Sequence, residues 1–143
     1  MEKVQNKVIT VETTVKAPVK DIWRYWTEPN HITKWYFASD EWHAPAAEND
    51  LHVRGKFRTR MEAKDGSSGF DFTGVYTWIE KLEAIEYSII DGRKVKIYFT
   101  EQGPETKVVE SFEAESKNSY ELQKGGWQAI LDNFRKYSES RQK

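Results

Sequence analysis

The sequence predicts an α+β fold in which a curved antiparallel β-sheet wraps around one long C-terminal helix, with two short helices near the N-terminus. Two patterns of apolar residues predict this fold. Apolar residues recur at every second position through residues 54–112, as in strands, and at helical spacing through residues 119–140. A curved sheet cannot close tightly on a helix along its whole length. We therefore expect a gap between them, and such gaps bind ligands.

The N-terminal segment predicts one strand followed by a first short helix. Val4–Lys16 is rich in β-branched residues, which favour strands. Pro18 is suited to the first position of a helix, where a missing N–H group costs nothing. The residues after it place apolar side chains at helical spacing on one face: Val19, Ile22, Trp23 and Trp26.

A second short helix is predicted from Thr27, as the N-cap, to about Trp35, with Pro29 in its first turn. Residues 38–50 have the composition of a loop.

Residues 54–112 predict an antiparallel meander of strands. In the first of them the basic residues at 54, 56, 58 and 60 alternate with Phe57, Thr59 and Met61, so one side is solvated and the other is buried. Glycine turns follow at residues 65–66, 91–92 and 103–104. Gly74 interrupts an aromatic strand and predicts a bulge or bend there. With the N-terminal strand, the sheet has about six or seven strands.

The C-terminal segment predicts one amphipathic helix of roughly 20 residues, or about 30 Å. Asn118 and Glu121 have the spacing of an N-cap with an acidic residue in the first turn. The adjacent Gly125 and Gly126 cost about 1 kcal/mol each in a helix interior, and close packing against the sheet is the favoured reason for them. The apolar stripe that must be covered by the sheet contains Trp127, Ile130, Leu131, Phe134 and Tyr137.

Composition excludes several classes of protein. The 143 residues suit a single domain, residues 1–143, and carry 22 basic and 23 acidic side chains mixed along the chain, so no basic surface for nucleic acid is expected. No apolar run could span a membrane and no signal peptide is recognisable, which predicts a cytoplasmic protein. Without cysteine, and with only three histidines, we expect no metal site and no cofactor.

The chain resembles the START-like, helix-grip superfamily of birch-pollen allergens and polyketide cyclases. Within it, the sequence is similar to homologues of the C-terminal domain of the heat-shock protein 90 ATPase activator. Four stretches carry the resemblance: residues 17–37, 55–66, 70–87 and 106–137. Gly126-Trp127 leading into the apolar helical stripe is the most specific motif. The resemblance implies a helix-grip fold with a cavity for apolar or aromatic small molecules, whereas the activator's own chaperone-contacting N-terminal domain has no counterpart here.

The candidate binding residues are the aromatic side chains of the predicted cavity. Each is either core or cavity lining: Trp35, Tyr36, Phe37 and Trp42 near the short helices, Phe57, Phe72, Tyr76, Trp78 and Phe99 on the sheet, and Trp127 on the long helix. Glu110 alternates with Val108 and Phe112 on the last strand, so it shares their apolar face unless it lies at an exposed edge. It is the one candidate acid or base, with a raised pKa or a partner expected if it is buried.

Three functions remain open at this point. The leading hypothesis is a non-enzymatic protein that binds an apolar or aromatic small molecule, including a lipid, between the sheet and Trp127. The alternative is an interaction module for a chaperone or other protein in a stress response, which requires an exposed apolar patch. The third is a cyclase- or hydratase-like enzyme with Glu110 or a tyrosine as general base.

Overall fold

In the computed structural model, which describes residues 8–142, a seven-stranded antiparallel sheet curls around one long helix. The strands are β1 (Val8–Val15), β2 (Trp42–Asn49), β3 (Lys56–Ala63), β4 (Gly69–Glu80), β5 (Ala84–Ile89), β6 (Lys94–Gln102) and β7 (Glu105–Glu113). Their order across the sheet is β1-β7-β6-β5-β4-β3-β2. The fold is the α+β helix grip that the sequence predicts.

Strand β1 pairs with the last strand of the meander, and this pairing buries its alternate residues. Ile9, Val11 and Val15 are almost fully buried, as the run of β-branched residues predicts. Residues 4–7 of the predicted strand lie outside the described residues.

The three helices are α1 (Val19–Thr27), α2 (Pro29–Ile32) and α3 (Tyr120–Ser140). Pro18 immediately precedes α1 instead of forming its first residue. The N-cap predicted at Thr27 is wrong, because Thr27 ends α1 and its hydroxyl donates to the carbonyl oxygen of Trp23 at 2.7 Å. Helix α2 is a single turn, so the extension to about Trp35 is also wrong.

The N-cap of helix α3 lies one residue later than predicted. Ser119 is the N-cap, and its hydroxyl accepts from the backbone N–H of Leu122 at 3.1 Å. Asn118 instead donates its side-chain amide to Glu115. Leu131 and Phe134 are completely buried against the sheet and α1, as the helical spacing predicts.

Strand β2 replaces the loop predicted for residues 38–50. It pairs with β3 at the edge of the sheet, with a register irregularity between His43 and Ala46 that contains Pro45. Proline lacks a backbone donor and is tolerated at such an edge irregularity. The strand therefore depends on its partner and not on its own composition.

A second irregularity lies between Tyr76 and Trp78, and not at Gly74 where the bulge is predicted. Tyr76 pairs with Tyr87 and Trp78 pairs with Glu86, so the strand carries one extra residue and its alternation reverses. Gly74 has a different purpose, since a Cβ atom there would lie 2.6 Å from the ring of Phe57. The absence of a side chain at Gly74 leaves room for the Phe57 ring to lie across β4.

Candidate functional site

A cavity of about 350 Å³ lies between the concave face of the sheet and helix α3. This is within the usual size range of small-molecule sites. Helices, strands and three loops contribute to its wall. The lining residues are Trp26, Trp35, Tyr36, Met61, Phe70, Phe72, Arg93, Glu110, Glu115, Trp127 and Ile130.

The aromatic wall is held in place by contacts between its own rings. Trp127 of α3 stacks on Phe112 with ring centroids 3.9 Å apart and planes inclined by 11°. Its indole also meets the ring of Phe72 edge-on at 6.2 Å. Tyr36 stacks on the other side of Phe72, with centroids 5.7 Å apart. Since each ring orients the next, the apolar surface of the cavity is formed before any ligand binds.

Trp35 belongs both to the core and to the cavity wall. Its side chain is fully buried, its ring packs edge-on against Phe134 at 4.7 Å, and its indole N–H donates to the carbonyl oxygen of Tyr25 at 3.0 Å. Asn133 of α3 donates its side-chain amide to the Trp35 carbonyl oxygen at 2.9 Å. These bonds attach the segment after α2 to the long helix, which fixes the adjacent Tyr36 in the wall.

Glu110 provides a carboxyl group inside this aromatic cavity. It is only 3% exposed, and its cross-strand partners are Val11 and Ile97. Among residues 8–142, no donor lies within hydrogen-bond distance of its carboxyl oxygens, and no cation forms an ion pair with them. Burial raises the pKa of Glu110 from its ordinary 4.5 to about 8. The group is therefore mostly protonated at neutral pH.

Two tyrosine hydroxyls share the surroundings of this carboxyl. Burial, with the nearby Glu110 as a smaller cause, raises the pKa of Tyr36. Burial also raises the pKa of Tyr87, with Tyr36 and Glu110 adding to the effect. At pH 7 the Tyr36 hydroxyl is neutral and the Glu110 carboxyl is mostly protonated, so each can donate a hydrogen bond to a ligand in the cavity, whereas Tyr87 lies outside the lining. A pKa of about 8 allows Glu110 to donate a proton when protonated and to accept one when ionised, so its role as a general base stays a prediction.

Two charged residues lie at the rim, and both have partners in the protein. The guanidinium of Arg93 donates to the Asp91 carboxylate at 2.8 Å and to the Glu113 carbonyl oxygen at 3.1 Å. The Glu115 carboxylate accepts from the backbone N–H groups of residues 117 and 118 and from the Asn118 side chain. These bonds lower the pKa of Glu115, which stays ionised.

Five of the residues singled out from the sequence meet at the cavity: Trp35, Tyr36, Phe72, Trp127 and Glu110. The inward orientation predicted for Glu110 is confirmed, since β7 lies inside the sheet and not at its edge.

The remaining candidates lie elsewhere. Phe57 and Tyr76 line a neighbouring gap of only about 30 Å³, and Phe99 is core against Trp23 and Trp26. Phe37 faces a separate polar groove beside α3. Trp42 packs edge-on against Phe70 at the rim.

The prediction that Trp78 shares the inward face is wrong. The extra residue after Tyr76 turns the Trp78 side chain outward, where it is 50% exposed. It therefore cannot line the cavity.

Sequence reasoning did not assign six lining residues to the site. Four of them lie on faces that the spacing of apolar residues predicts to point inward, but this spacing does not distinguish a cavity wall from a core. The four are Trp26, Met61, Phe70 and Ile130. Arg93 and Glu115 lie in loops, where no periodic signal exists.

Residues 8–142 contain neither a metal-binding cluster nor a membrane-spanning helix. Within residues 8–142, no three His, Cys, Asp or Glu side chains are arranged to hold a metal ion. None of the helices in that range is long and apolar enough to cross a membrane.

Comparison with known proteins adds the following matches. A family model described as Activator of Hsp90 ATPase homolog 1-like protein matches residues 16–139. The solution structure of the AHSA1-like protein from Aeromonas hydrophila is 38% identical, with a TM-score of 0.90 over 95% of this chain and 94% of that one. A protein from Cytophaga hutchinsonii is 55% identical, with a TM-score of 0.80 over 94% of this chain and 93% of that one.

More distant structures share the fold alone. A crystal structure from Nitrosomonas europaea is 16% identical, with a TM-score of 0.81 over 94% of this chain and 96% of that one. No functionally curated protein matches the sequence.

Proposed function

Since the chain belongs to the family of Activator of Hsp90 ATPase homolog 1-like proteins, and since its helix and sheet enclose an aromatic cavity, we propose that it binds an apolar or aromatic small molecule there. The single observation that carries the proposal is the cavity of about 350 Å³ with its preformed aromatic wall. Its wall is mostly aromatic and apolar with a few polar groups, which is the usual composition of small-molecule sites.

The physical basis of binding is burial of apolar ligand surface. At about 25 cal/mol per Å², removing roughly 200 Å² of ligand surface from water contributes about 5 kcal/mol before ordering costs. The ordering costs are small for a site whose rings are already oriented. Hydrogen bonds from Tyr36 and from Glu110 would then select among ligands of similar size.

The proposal is tested by titrating the protein with flat aromatic and fatty compounds while recording tryptophan fluorescence and amide chemical shifts. Saturable changes at Trp35 and Trp127 support it. Ile130→Phe adds volume at the cavity wall and should weaken binding, whereas Leu122→Phe adds a ring at a position of the same helix that is 64% exposed and should not. Equal weakening by both variants, or no saturable change with any compound, would contradict the proposal.

One observation favours a second candidate, an interaction with a chaperone. On the outer face of the sheet, Trp78 is 50% and Tyr98 is 40% exposed, on strands either side of β5. Exposed aromatic pairs are typical of interaction surfaces. Mixing the protein with Hsp90 should then change the ATPase rate of the chaperone, and Trp78→Thr should remove that change. An unaltered rate with the wild-type protein would dispose of this candidate.

A further inference from the structure

Glu110 is a costly residue for a protein interior, because its carboxyl group is buried among apolar neighbours. Its strand neighbours Val108 and Phe112 are buried, as are its cross-strand partners Val11 and Ile97. A carboxyl group in such a place normally has a donor or a cation beside it. No side chain or backbone group among residues 8–142 supplies one, and the carboxyl is part of the cavity wall. A ligand is the partner that the site can still receive.

The charges around the cavity do not suit an anionic ligand. Among residues 8–142, Arg93 is the one cationic side chain of the lining, and its guanidinium is already bonded to Asp91 and to the Glu113 carbonyl oxygen. Glu115 adds a negative charge at the rim. A ligand carboxylate or phosphate would therefore be repelled by the ionised Glu115, while the cation of the described lining already has partners.

The aromatic wall suits a cation. Indole and phenyl faces carry negative electrostatic potential and attract ammonium groups, most strongly where water is excluded. Rings from α1, α2–β2, β4 and α3 surround the carboxyl, and three of them are tryptophans: Trp26, Trp35 and Trp127. The combination of a carboxyl and several aromatic rings in one cavity is complementary to an organic ammonium ion.

We propose that the cavity ligand is an aryl-alkyl ammonium ion, whose ammonium group pairs with the Glu110 carboxylate while its ring lies against Tyr36 and Trp127. This inference rests on the proposed function, because it names the chemical class bound at the same site. An aromatic ring fills the apolar part of the cavity, and the ammonium group supplies the hydrogen-bond donors that Glu110 lacks.

Binding of such a cation is linked to proton release. Glu110 is protonated in the free protein at neutral pH and becomes ionised in the complex. Burial raises the pKa of the Tyr36 and Tyr87 hydroxyls, which stay neutral in this range, and the lowered pKa of Glu115 keeps that carboxylate ionised. Arg93 is a further charged side chain of the lining. Helices α1 and α3 contribute only apolar and aromatic side chains to the lining. Affinity should therefore rise about tenfold from pH 6 to pH 7 and level off above about pH 8.

The experiment compares phenethylamine with phenethyl alcohol, which have almost the same shape and differ in charge. Binding to the full chain is followed by tryptophan fluorescence and amide shifts from pH 6 to pH 8.5. A primary ammonium group titrates near about pH 10, so the pH dependence reports on the protein. We expect the ratio of amine affinity to alcohol affinity to increase about tenfold from pH 6 to pH 7.

Two variants assign the effect to one carboxyl. Glu110→Gln should remove the preference for the amine and its pH dependence. Glu86→Gln is the matched control, because it removes one carboxyl from the outward face of β5. This variant should keep both the preference for the amine and the pH dependence of that preference.

The outcomes separate the two proposals. If the alcohol binds as tightly as the amine at every pH, the ammonium class is wrong and cavity binding stands. If neither compound moves the signals of cavity residues, both proposals fail. If the preference for the amine survives in Glu110→Gln, the cation binds elsewhere and the inference is overturned.

Discussion

Replacing Glu110 by Gln should stabilise the free protein, and the gain should grow with pH. In the folded chain the pKa of Glu110 is about 8, whereas in the unfolded chain it is close to 4.5. Between these values the native state holds a proton that the unfolded state has lost, so the free energy of unfolding of the wild type falls as pH rises. Glutamine has nearly the same shape as glutamate and stays neutral, so the free energy of unfolding of the variant does not fall in this way as pH rises.

The magnitude follows from the two pKa values. Each tenfold change in proton affinity corresponds to about 1.4 kcal/mol, so the difference in unfolding free energy between variant and wild type should approach about 5 kcal/mol above pH 8. At pH 7 it should be about 3 kcal/mol, and near pH 4.5 it should almost vanish. Since domains of this size have unfolding free energies of about 5–15 kcal/mol, the effect at pH 7 is large.

Urea denaturation at pH 5, 7 and 8.5 measures this difference for the two proteins without ligand. Burial lowers the pKa of His31, which makes stability fall as pH drops below 6.5, but that contribution is common to both proteins and cancels. Glu86→Gln, on the outward face, controls for the loss of one acidic side chain and should show no comparable pH-dependent gain. A Glu110→Gln gain that stays constant from pH 5 to pH 8.5 would refute the assignment of a protonated, desolvated carboxyl.

Three further substitutions test contacts of helix α3 and of strand β4. Gly126→Ala should raise the unfolding free energy by about 1 kcal/mol in urea denaturation, because the added Cβ meets no atom within 4 Å; destabilisation would mean that the helix needs the glycine for a contact. Gly74→Ala should lower the melting temperature, with a loss of about 1–3 kcal/mol, since its Cβ would lie 2.6 Å from the Phe57 ring; an unchanged melting temperature would contradict that crowding. Tyr137→Phe removes the hydroxyl that lies 2.5 Å from Nδ1 of the buried His31 and should cost about 1–3 kcal/mol by the same measurement; a neutral result would mean that water replaces it.

Much of the fold follows from periodicity because most elements bury one face. Val95, Ile97 and Phe99 alternate with solvated residues on β6, and Leu131 and Phe134 recur at helical spacing on α3. Where an element buries only one face, its apolar residues recur in the sequence with the same period as its backbone. The spacing of apolar residues therefore identifies the element.

The elements that sequence reasoning missed depend on partners that are distant in the chain. Strand β2 contains Pro45 and several alanines, and it exists because β3 offers unpaired backbone groups at the sheet edge. The outward turn of Trp78 depends on one extra residue in β4 relative to β5, which no property of β4 alone reveals. A one-residue slip reverses every following side chain, so an error of this size removes a residue from the site.

Alternation is also insufficient to separate a cavity wall from a core. Phe72 and Phe99 both point inward, yet Phe72 lines the cavity while Phe99 packs on Trp23 and Trp26. The two rings differ in the helix that packs on them. Helix α1 covers Phe99, whereas Trp127 of helix α3 contacts Phe72 edge-on. The path of the helices over the sheet decides this, and it is a tertiary property.

Glu110 and the glycine pair of α3 are residues that do not suit folding. Glu110 interrupts an apolar strand face without a partner among residues 8–142, and Gly125 and Gly126 interrupt a helix although their missing side chains leave open space and allow no close contact. The expectation of close helix packing at the glycines is therefore wrong. Both features cost stability, and both adjoin Trp127 or the cavity that it lines. Local choices that oppose the fold are expected at functional sites, so Glu110, which lines the cavity, supports the proposed ligand binding.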